Sequence, residues 1–422
     1  MRPARKRCRL AAPRGFAGDS PRPPPELRKP AIRVLHVIAS LAARTGGPAK
    51  ACLEMARAVA RRGHAVEILT TDRDAAPGEG LTAGATLARD GVAIRVFAQD
   101  SPRSFATSWG LARALPGAVG SADVVHIHSL HLFHVWAASR ACHRLGKPYL
   151  LRPHGTLDPL IRARRPALKR ALGLAFENAA IRRAAAIHVT AAEEGELARP
   201  ALFGARIVVI PNGLDLDAYA KPPPGAFRGR HPEIGARRIV LFLSRLNFKK
   251  GLDLLIPGFA RASREAGDLH LVIAGPDDGM AAAARAWVAE QGIADRVSFV
   301  GLLDHTSKLA ALADSFCFAL PSYSENFGIA VAEAMACAVP VAISDRVNIW
   351  REITAAGAGL VGPPTVDEVA RQIATLAREP EAARRMGEAG HRLVADRFQW
   401  SDIAARLEAV YRAVAAGAPL PA

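Results

Sequence analysis

Aromatic side chains are scarce. Phe, Trp and Tyr together supply 6% of the 422 residues. Surfaces that read nucleic acid by stacking bases on rings need more than that, so nucleic acid is not an expected partner. Acidic residues are also short, 39 against 56 Lys and Arg, for a formal net charge of +17. That balance asks for another anionic partner, either phosphorylated substrates or an anionic membrane surface. The cysteines Cys8, Cys52, Cys142, Cys317 and Cys337 are odd in number and far apart, with no C-x-x-C. This pattern points to reduced thiols in a cytoplasm and against a disulfide frame or a zinc site. No apolar run reaches the roughly 18–20 residues of a membrane-spanning helix. The basic N-terminus lacks the apolar stretch of a secretory signal. The G-x-G-x-x-G dinucleotide fingerprint is missing too, which disfavours an NAD enzyme.

Hydrophobic residues make up half of the chain, enough for sizeable cores in two or three domains. Residues 1–30 carry nine Lys/Arg and the run Pro23-Pro24-Pro25. They form a basic tail expected to be disordered, read as a neutral extension in preference to a membrane tether. From Ile32, apolar β-rich runs alternate with Ala/Arg/Leu-rich helical segments. The runs are Ile32–Ala39, Ala65–Thr70, Val92–Phe97, Val124–Ile127, Pro148–Arg152, Ala186–Val189 and Ile207–Ile210. Near-continuous apolar runs of this kind suit parallel strands buried on both faces, and their alternation with helices predicts an α/β, doubly wound sheet over 31–218. Residues 219–238, with Pro222-Pro223-Pro224, are expected to be a linker. A second doubly wound sheet is predicted over 239–396, with strands at Ile239–Leu243, Leu269–Ala274, Val297–Val300, Phe316–Leu320 and Val341–Ser344. Helices are expected from Thr365 onward, the last at Trp400–Ala415 within a closing segment 397–422. Two such domains should leave a cleft at the carboxyl ends of both sheets, where ligands bind.

Four motifs fall at strand ends facing that cleft. Ser324-Glu325-Asn326-Phe327-Gly328 follows one strand, and Glu333 is expected about two turns into the next helix. Backbone N–H groups of Asn326, Phe327 and Gly328 would attract phosphate or sugar oxygens, and the carboxylates could grip separate hydroxyl-bearing parts of one ligand. Taken alone, the pair could equally be a helix-start carboxylate and a surface Glu. Arg245 and Lys250, at the end of another strand, suit a diphosphate, the first as a fork and the second as a point charge. Arg152-Pro153-His154-Gly155 ends a strand of the first domain, and His154 can donate or accept a hydrogen bond at neutral pH. Thr45-Gly46-Gly47 can set backbone amides on phosphate, and Gly275 closes a further strand next to the cleft.

Together these motifs resemble glycosyltransferase family 4, the large retaining GT-B family, over Ile32 to about Arg412. Glu325 and Glu333 are similar to its E-x7-E pair, and Arg245 and Lys250 to its phosphate-binding pair. Pro211-Asn212-Gly213-Leu214-Asp215 resembles the segment closing its first domain. Arg397-Phe398-x-Trp400 resembles the start of a last helix that crosses back to that domain. The stretch Arg152–Asp158 is similar to members from bacterial exopolysaccharide and lipopolysaccharide clusters. The resemblance implies that Glu325 holds donor-sugar hydroxyls and Glu333 the ribose. It implies that Arg245 and Lys250 stabilise the departing diphosphate, that Gly47 offers its amide to the phosphates, and that His154 lies near the reacting carbon. The amides of Asn326, Phe327 and Gly328, with Gly275, would complete the donor site. It further implies a nucleotide-sugar donor, a glycan or polyprenyl-diphosphate-linked acceptor, no cofactor and no catalytic metal. Asp215-Leu216-Asp217 imitates a metal-binding D-x-D but falls in the closing segment, and is read as accidental.

The segment Leu160–Arg183 is basic, with apolar residues interleaved. Arg164, Arg165 and Lys169 are candidates for acceptor or anionic-lipid contact, against the plainer reading of a solvated helix face. A cytoplasmic place, peripheral on the inner face of the membrane, follows from that expectation. His126, His128, His131 and His134 cluster in sequence, the last two one helical turn apart. With no nearby carboxylate or Cys they are read as acceptor contacts, His128 in particular, or as strand-end packing, and not as a metal site. A sugar-nucleotide epimerase of the same fold and a catalytically silent scaffold are the rival readings.

Overall fold

The computed structural model describes residues 30–220 and 222–421. The predicted tail therefore lies almost wholly outside the described residues. From Ile32 onward the chain forms one compact unit built on two sheets. The first sheet holds β1 (Arg33–Ser40), β2 (Ala65–Thr71), β3 (Thr86–Arg89), β4 (Val92–Phe97), β5 (Val124–His128), β6 (Tyr149–Arg152), β7 (Ala186–Val189) and β8 (Ile207–Val209). Their order is β3-β4-β2-β1-β5-β6-β7-β8, and every pairing is parallel except β3 with β4. The second sheet holds β9 (Arg238–Leu243), β10 (Leu269–Ala274), β11 (Val297–Gly301), β12 (Ser315–Leu320), β13 (Val341–Ser344) and β14 (Gly359–Gly362), ordered β11-β10-β9-β12-β13-β14 and parallel throughout. Strand order reverses beside β1 and beside β9. Those reversals open crevices at the carboxyl ends of both sheets.

The predicted strands are present. Sequence reading missed two short edges. The run Thr-Leu-Ala-Arg of β3 only half-buries its residues, and β14 is bounded by glycines. Residues 219–238 are not a bare linker. Phe227 and Ile234 are 1% and 0% exposed and pack into the core of the second sheet. Short 3-10 turns stiffen this stretch.

The last helix, Trp400–Ala415, buries Trp400, Ile403, Leu407, Val410 and Tyr411 in the same core as Ile32, Val34 and Met55 of the first sheet. Its apolar residues recur every three or four positions, so one stripe faces inward. The crossing is fixed at its root. Leu214 N–H donates to the Phe398 carbonyl at 2.6 Å, and Trp400 N–H donates to the Leu214 carbonyl at 3.1 Å. Gly213 has no side chain for a reason: a Cβ there would lie 2.4 Å from the Trp400 ring. The two motifs are thus one contact.

Candidate functional site

A cavity of about 940 Å³ opens between the carboxyl ends of the two sheets. Gly47, His154, Arg245, Lys250, Gly275, Glu325, Asn326, Phe327, Gly328 and Glu333 all line it. Every donor-side residue singled out in the sequence therefore meets in one place.

From the second sheet, β9 delivers Arg245 and Lys250. Arg245 is held by Asp278 at 2.8 Å, and Asn247 donates to the same carboxylate oxygen at 2.9 Å. Gly275 lies beside this loop with φ +140°, and a Cβ would fall 1.8 Å from the Ser244 carbonyl. Only glycine allows the two strand ends to run so close. After β12, the Glu325 N–H donates to the Arg346 carbonyl at 2.9 Å, and the Glu325 carbonyl accepts from Asn348 at 3.0 Å. Lys250 donates to the Glu325 carboxylate. Burial by itself would raise the Glu325 carboxyl, but Lys250, Lys249 and Arg245 outweigh it and hold it below the usual range.

The following helix begins at Ile329, capped by Gly328 with φ +74°. Glu333 therefore sits little more than one turn in, not two. Among the described residues the N–H groups of Asn326, Phe327 and Gly328 find no backbone acceptor. They remain available to an anionic ligand at the positive end of the helix.

Glu333 is 3% exposed and gathers donors from both sheets' surroundings. Lys308 reaches it at 2.6 Å and the Tyr219 hydroxyl at 2.9 Å, and Lys50 of helix Gly47–Arg61 donates from the opposite side of the cleft. Burial would raise this carboxyl, yet Lys50 and Lys308 bring it down to about 2. Sequence reading missed Lys50, Tyr219 and Lys308. Their one sequence signal is that Lys50 follows Gly47 by three residues on a helix pointing at the cleft.

From the first sheet, His154 follows β6 with φ +54°, a left-handed conformation that costs a non-glycine residue on the order of 1 kcal/mol. Gly155 N–H donates to Glu194 at 3.1 Å. With its amide nitrogen turned toward that carboxylate, Asn326 also donates to Glu194, at 2.7 and 2.9 Å, so the two halves of the cleft are tied together. Arg152 is wholly buried and donates to Asn212 of the Pro-Asn-Gly segment at 2.6 Å. Asn212 in turn lines the cavity, so a buried cation stands one residue behind it.

The acceptor-side candidates lie elsewhere. His128 is fully buried, so it offers no surface to an acceptor. Arg164 stacks on Phe248 of the second sheet's loop at 4.0 Å, and Lys169 donates to the Ile161 carbonyl. The basic stretch is not one amphipathic helix. It is interrupted at 163–165, between Pro159–Arg162 and a second helix that runs from Pro166 to Arg183 through a π turn at Gly173–Glu177. Its exposed apolar residues are Leu160, Leu168 and Leu174. His131 precedes the helix that holds His134, so the two do not share a helix face. His131 Nδ1 lies 2.7 Å from Glu177, the carboxylate that sequence spacing had not placed beside it.

Residues 45–218 match the family model described as Glycosyltransferase Family 4, and residues 226–393 that described as Glycosyl transferases group 1. The alpha-maltose-1-phosphate synthase of Mycolicibacterium smegmatis is 31% identical over 324 residues, 70% of this chain and 80% of that protein. The GDP-mannose:cellobiosyl-diphosphopolyprenol alpha-mannosyltransferase of Xanthomonas campestris is 28% identical over 404 residues, 92% of this chain and 98% of that protein. Among solved structures, sucrose-phosphate synthase from Thermosynechococcus elongatus superposes with a TM-score of 0.73 at 22% identity, covering 92% of this chain and 100% of that one. Anabaena HepE in complex with UDP-glucose gives 0.72 at 18% identity, covering 89% and 98%. These two likenesses carry the GT-B fold. With the Glu325/Glu333 pair, Arg245 and Lys250 converging in its cleft, the chain belongs to glycosyltransferase family 4.

Proposed function

We propose that this glycosyltransferase transfers a hexose, with retention, from a UDP- or GDP-sugar to a glycan or polyprenyl-diphosphate-linked acceptor in cell-surface polysaccharide synthesis. The observation that carries this reading is the convergence of two cations, two carboxylates, His154 and free helix-start amides in a single cavity. Departure of a nucleoside diphosphate builds negative charge. Arg245, Lys250 and the amides of Asn326 to Gly328 are preorganised for it, and they supply the neutralisation that a divalent cation gives elsewhere. Glu325 would accept from sugar hydroxyls and Glu333 from the ribose. In the step itself the bond from the anomeric carbon to the diphosphate oxygen breaks. The acceptor oxygen bonds to that carbon from the same face, and its proton passes to the departing phosphate.

The Xanthomonas relative, matched over nearly its whole length, supports a lipid-linked acceptor, and the HepE complex supports a nucleotide-sugar donor. A lipid-linked acceptor would bring the enzyme to the inner membrane face, where Leu168, Leu174 and the arginines of the same segment would dock. No described helix is long and apolar enough to cross a membrane.

The test is incubation with UDP-glucose, UDP-galactose, UDP-N-acetylglucosamine, GDP-mannose and ADP-glucose, one at a time and without acceptor. Slow release of nucleoside diphosphate from one donor, abolished by Glu325→Ala and by Lys250→Ala, is expected. Conversion of a sugar nucleotide into its epimer, or neither release nor binding of any donor, would overturn the reading.

A further inference from the structure

Three histidines line up from the core to the cavity. His36 lies on β1, His128 ends β5, and His154 follows β6. His36 Nδ1 and His128 Nε2 are 2.9 Å apart, and His128 Nδ1 and His154 Nε2 are 3.0 Å apart. Neighbouring rings stack with centroids 5.2 and 5.3 Å apart. His36 and His128 are both 0% exposed. Burial first, and then the Arg152 guanidinium and neighbouring imidazoles, push all three well below the usual histidine range, so each ring is neutral and carries one N–H.

Three protons shared over two ring-to-ring bonds allow two orders only. In one, His128 donates through Nδ1 to His154. His36 must then donate through Nδ1, which leaves the His36 Nε2 lone pair bare and puts the His154 proton on Nδ1. In the other, His128 donates through Nε2 to His36. The His36 proton then sits on Nε2, and His154 donates through Nε2 and turns a bare Nδ1 outward. His36 Nε2 is buried and has no partner among the described residues. An orphaned buried N–H is a rarer defect in folded proteins than an orphaned acceptor. The first order therefore prevails.

A second row beside it shows the same logic with its end fixed. His188 Nε2 bonds the Ile210 carbonyl at 2.8 Å, which forces its proton there. His126 must then donate to His188 at 3.3 Å and accept from the Tyr411 hydroxyl at 2.7 Å.

We propose that His36 and His128 are positioning residues that lock His154 as an Nδ1–H donor facing the cavity, so that the ligand must present an oxygen acceptor there. Resting on the reading of the cavity as the donor site, this assigns that oxygen to the transferred sugar or its anomeric phosphate. His154 Nδ1 has no partner among the described residues, and the residue lines the cavity. A row of neutral rings suits this task, because a cationic His154 would leave no acceptor at Nε2 for His128.

The experiment uses full-length protein labelled with ¹⁵N at histidine. Long-range ¹H–¹⁵N correlation spectra, assigned by single histidine substitutions, read which ring nitrogen of His154 carries the proton. Nδ1–H with a bare Nε2 is expected; Nε2–H with a bare Nδ1 overturns the proposal, whether or not the protein consumes any sugar nucleotide. Donor turnover is then compared in His128→Leu and His128→Asn. Leu fills the buried space better, while the Asn amide nitrogen takes the place of Nδ1 and keeps the donor to His154. The expected order is a fall in kcat on the order of tenfold for His128→Leu, largely restored in His128→Asn. A purely structural histidine gives the reverse order, with Leu the milder change, and that order would sink the proposal. If neither variant folds, the wild-type spectrum alone still decides.

Discussion

Lys50 reaches from the first sheet's leading helix to the Glu333 carboxylate of the second half, where Lys308 and the Tyr219 hydroxyl also converge. A buried carboxylate with three donors is stable only while it is charged. Its folded pKa of about 2 lies below the ordinary 4.5, so its contribution is fully present above pH 4.5 and disappears as pH falls towards 2. The shift corresponds to about 3 kcal/mol at neutral pH. Denaturant titrations of wild type and Glu333→Gln should therefore show a stability gap at pH 6 that closes as pH drops through that window. A gap that stays constant with pH would show that Glu333 is not the titrating partner.

Arg245 offers a planar fork held by Asp278. Arg245→Lys keeps the charge and loses the fork, so nucleoside diphosphate release should slow on the order of tenfold to a hundredfold. Lys250→Ala removes a charge that is nine-tenths buried beside Glu325, and should cost about a hundredfold to a thousandfold in kcat. Steady-state kinetics on the preferred donor check both. A fall of less than about twofold for Arg245→Lys would remove it from the diphosphate.

Much of this was legible because the informative residues are neighbours in sequence. Glu325 to Gly328 declare a strand-to-helix loop by themselves, and Gly213 and Trp400 were each visible inside a motif. What stayed hidden depends on convergence. Lys50 and Glu333 are 283 residues apart, and no local pattern ties them together. His36 and His188 sit in apolar strands, and nothing in the local sequence pairs either with another histidine. The rows exist only because the sheet sets β1, β5, β6 and β7 side by side, bringing His36, His126, His128, His154 and His188 together from distant parts of the chain. β3 and β14 escaped because short edge strands lack the long apolar run that marks a central one.

The Gly213–Trp400 contact predicts a stability effect remote from chemistry. In Gly213→Ala the new methyl would overlap the indole, so the start of the crossing helix must shift. Overpacking of this kind costs about 1–3 kcal/mol. Thermal unfolding should show a lower Tm for Gly213→Ala. Combined with Trp400→Leu, the substitution should cost less than the sum of the two singles, since both act on one contact. Strict additivity would show that the segments do not bear on each other.

The proposed membrane docking predicts which side chains would carry it. Arg164 is engaged on Phe248 and Lys169 on the Ile161 carbonyl, so charge reversal there would disturb the fold as well as the surface. Leu168 and Leu174, 53% and 77% exposed, alternate in sequence with the exposed Arg162, Arg165 and Arg170. Exposed apolar side chains interspersed with cations would suit an anionic bilayer surface, where each cation contributes about 1 kcal/mol. The triple change Arg162→Glu, Arg165→Glu and Arg170→Glu should abolish co-flotation with phosphatidylglycerol vesicles, and Leu174→Glu should weaken it. Donor hydrolysis in solution should be unaffected, since none of these residues lines the cavity. Flotation that survives the triple change would move the membrane contact to another face of the protein.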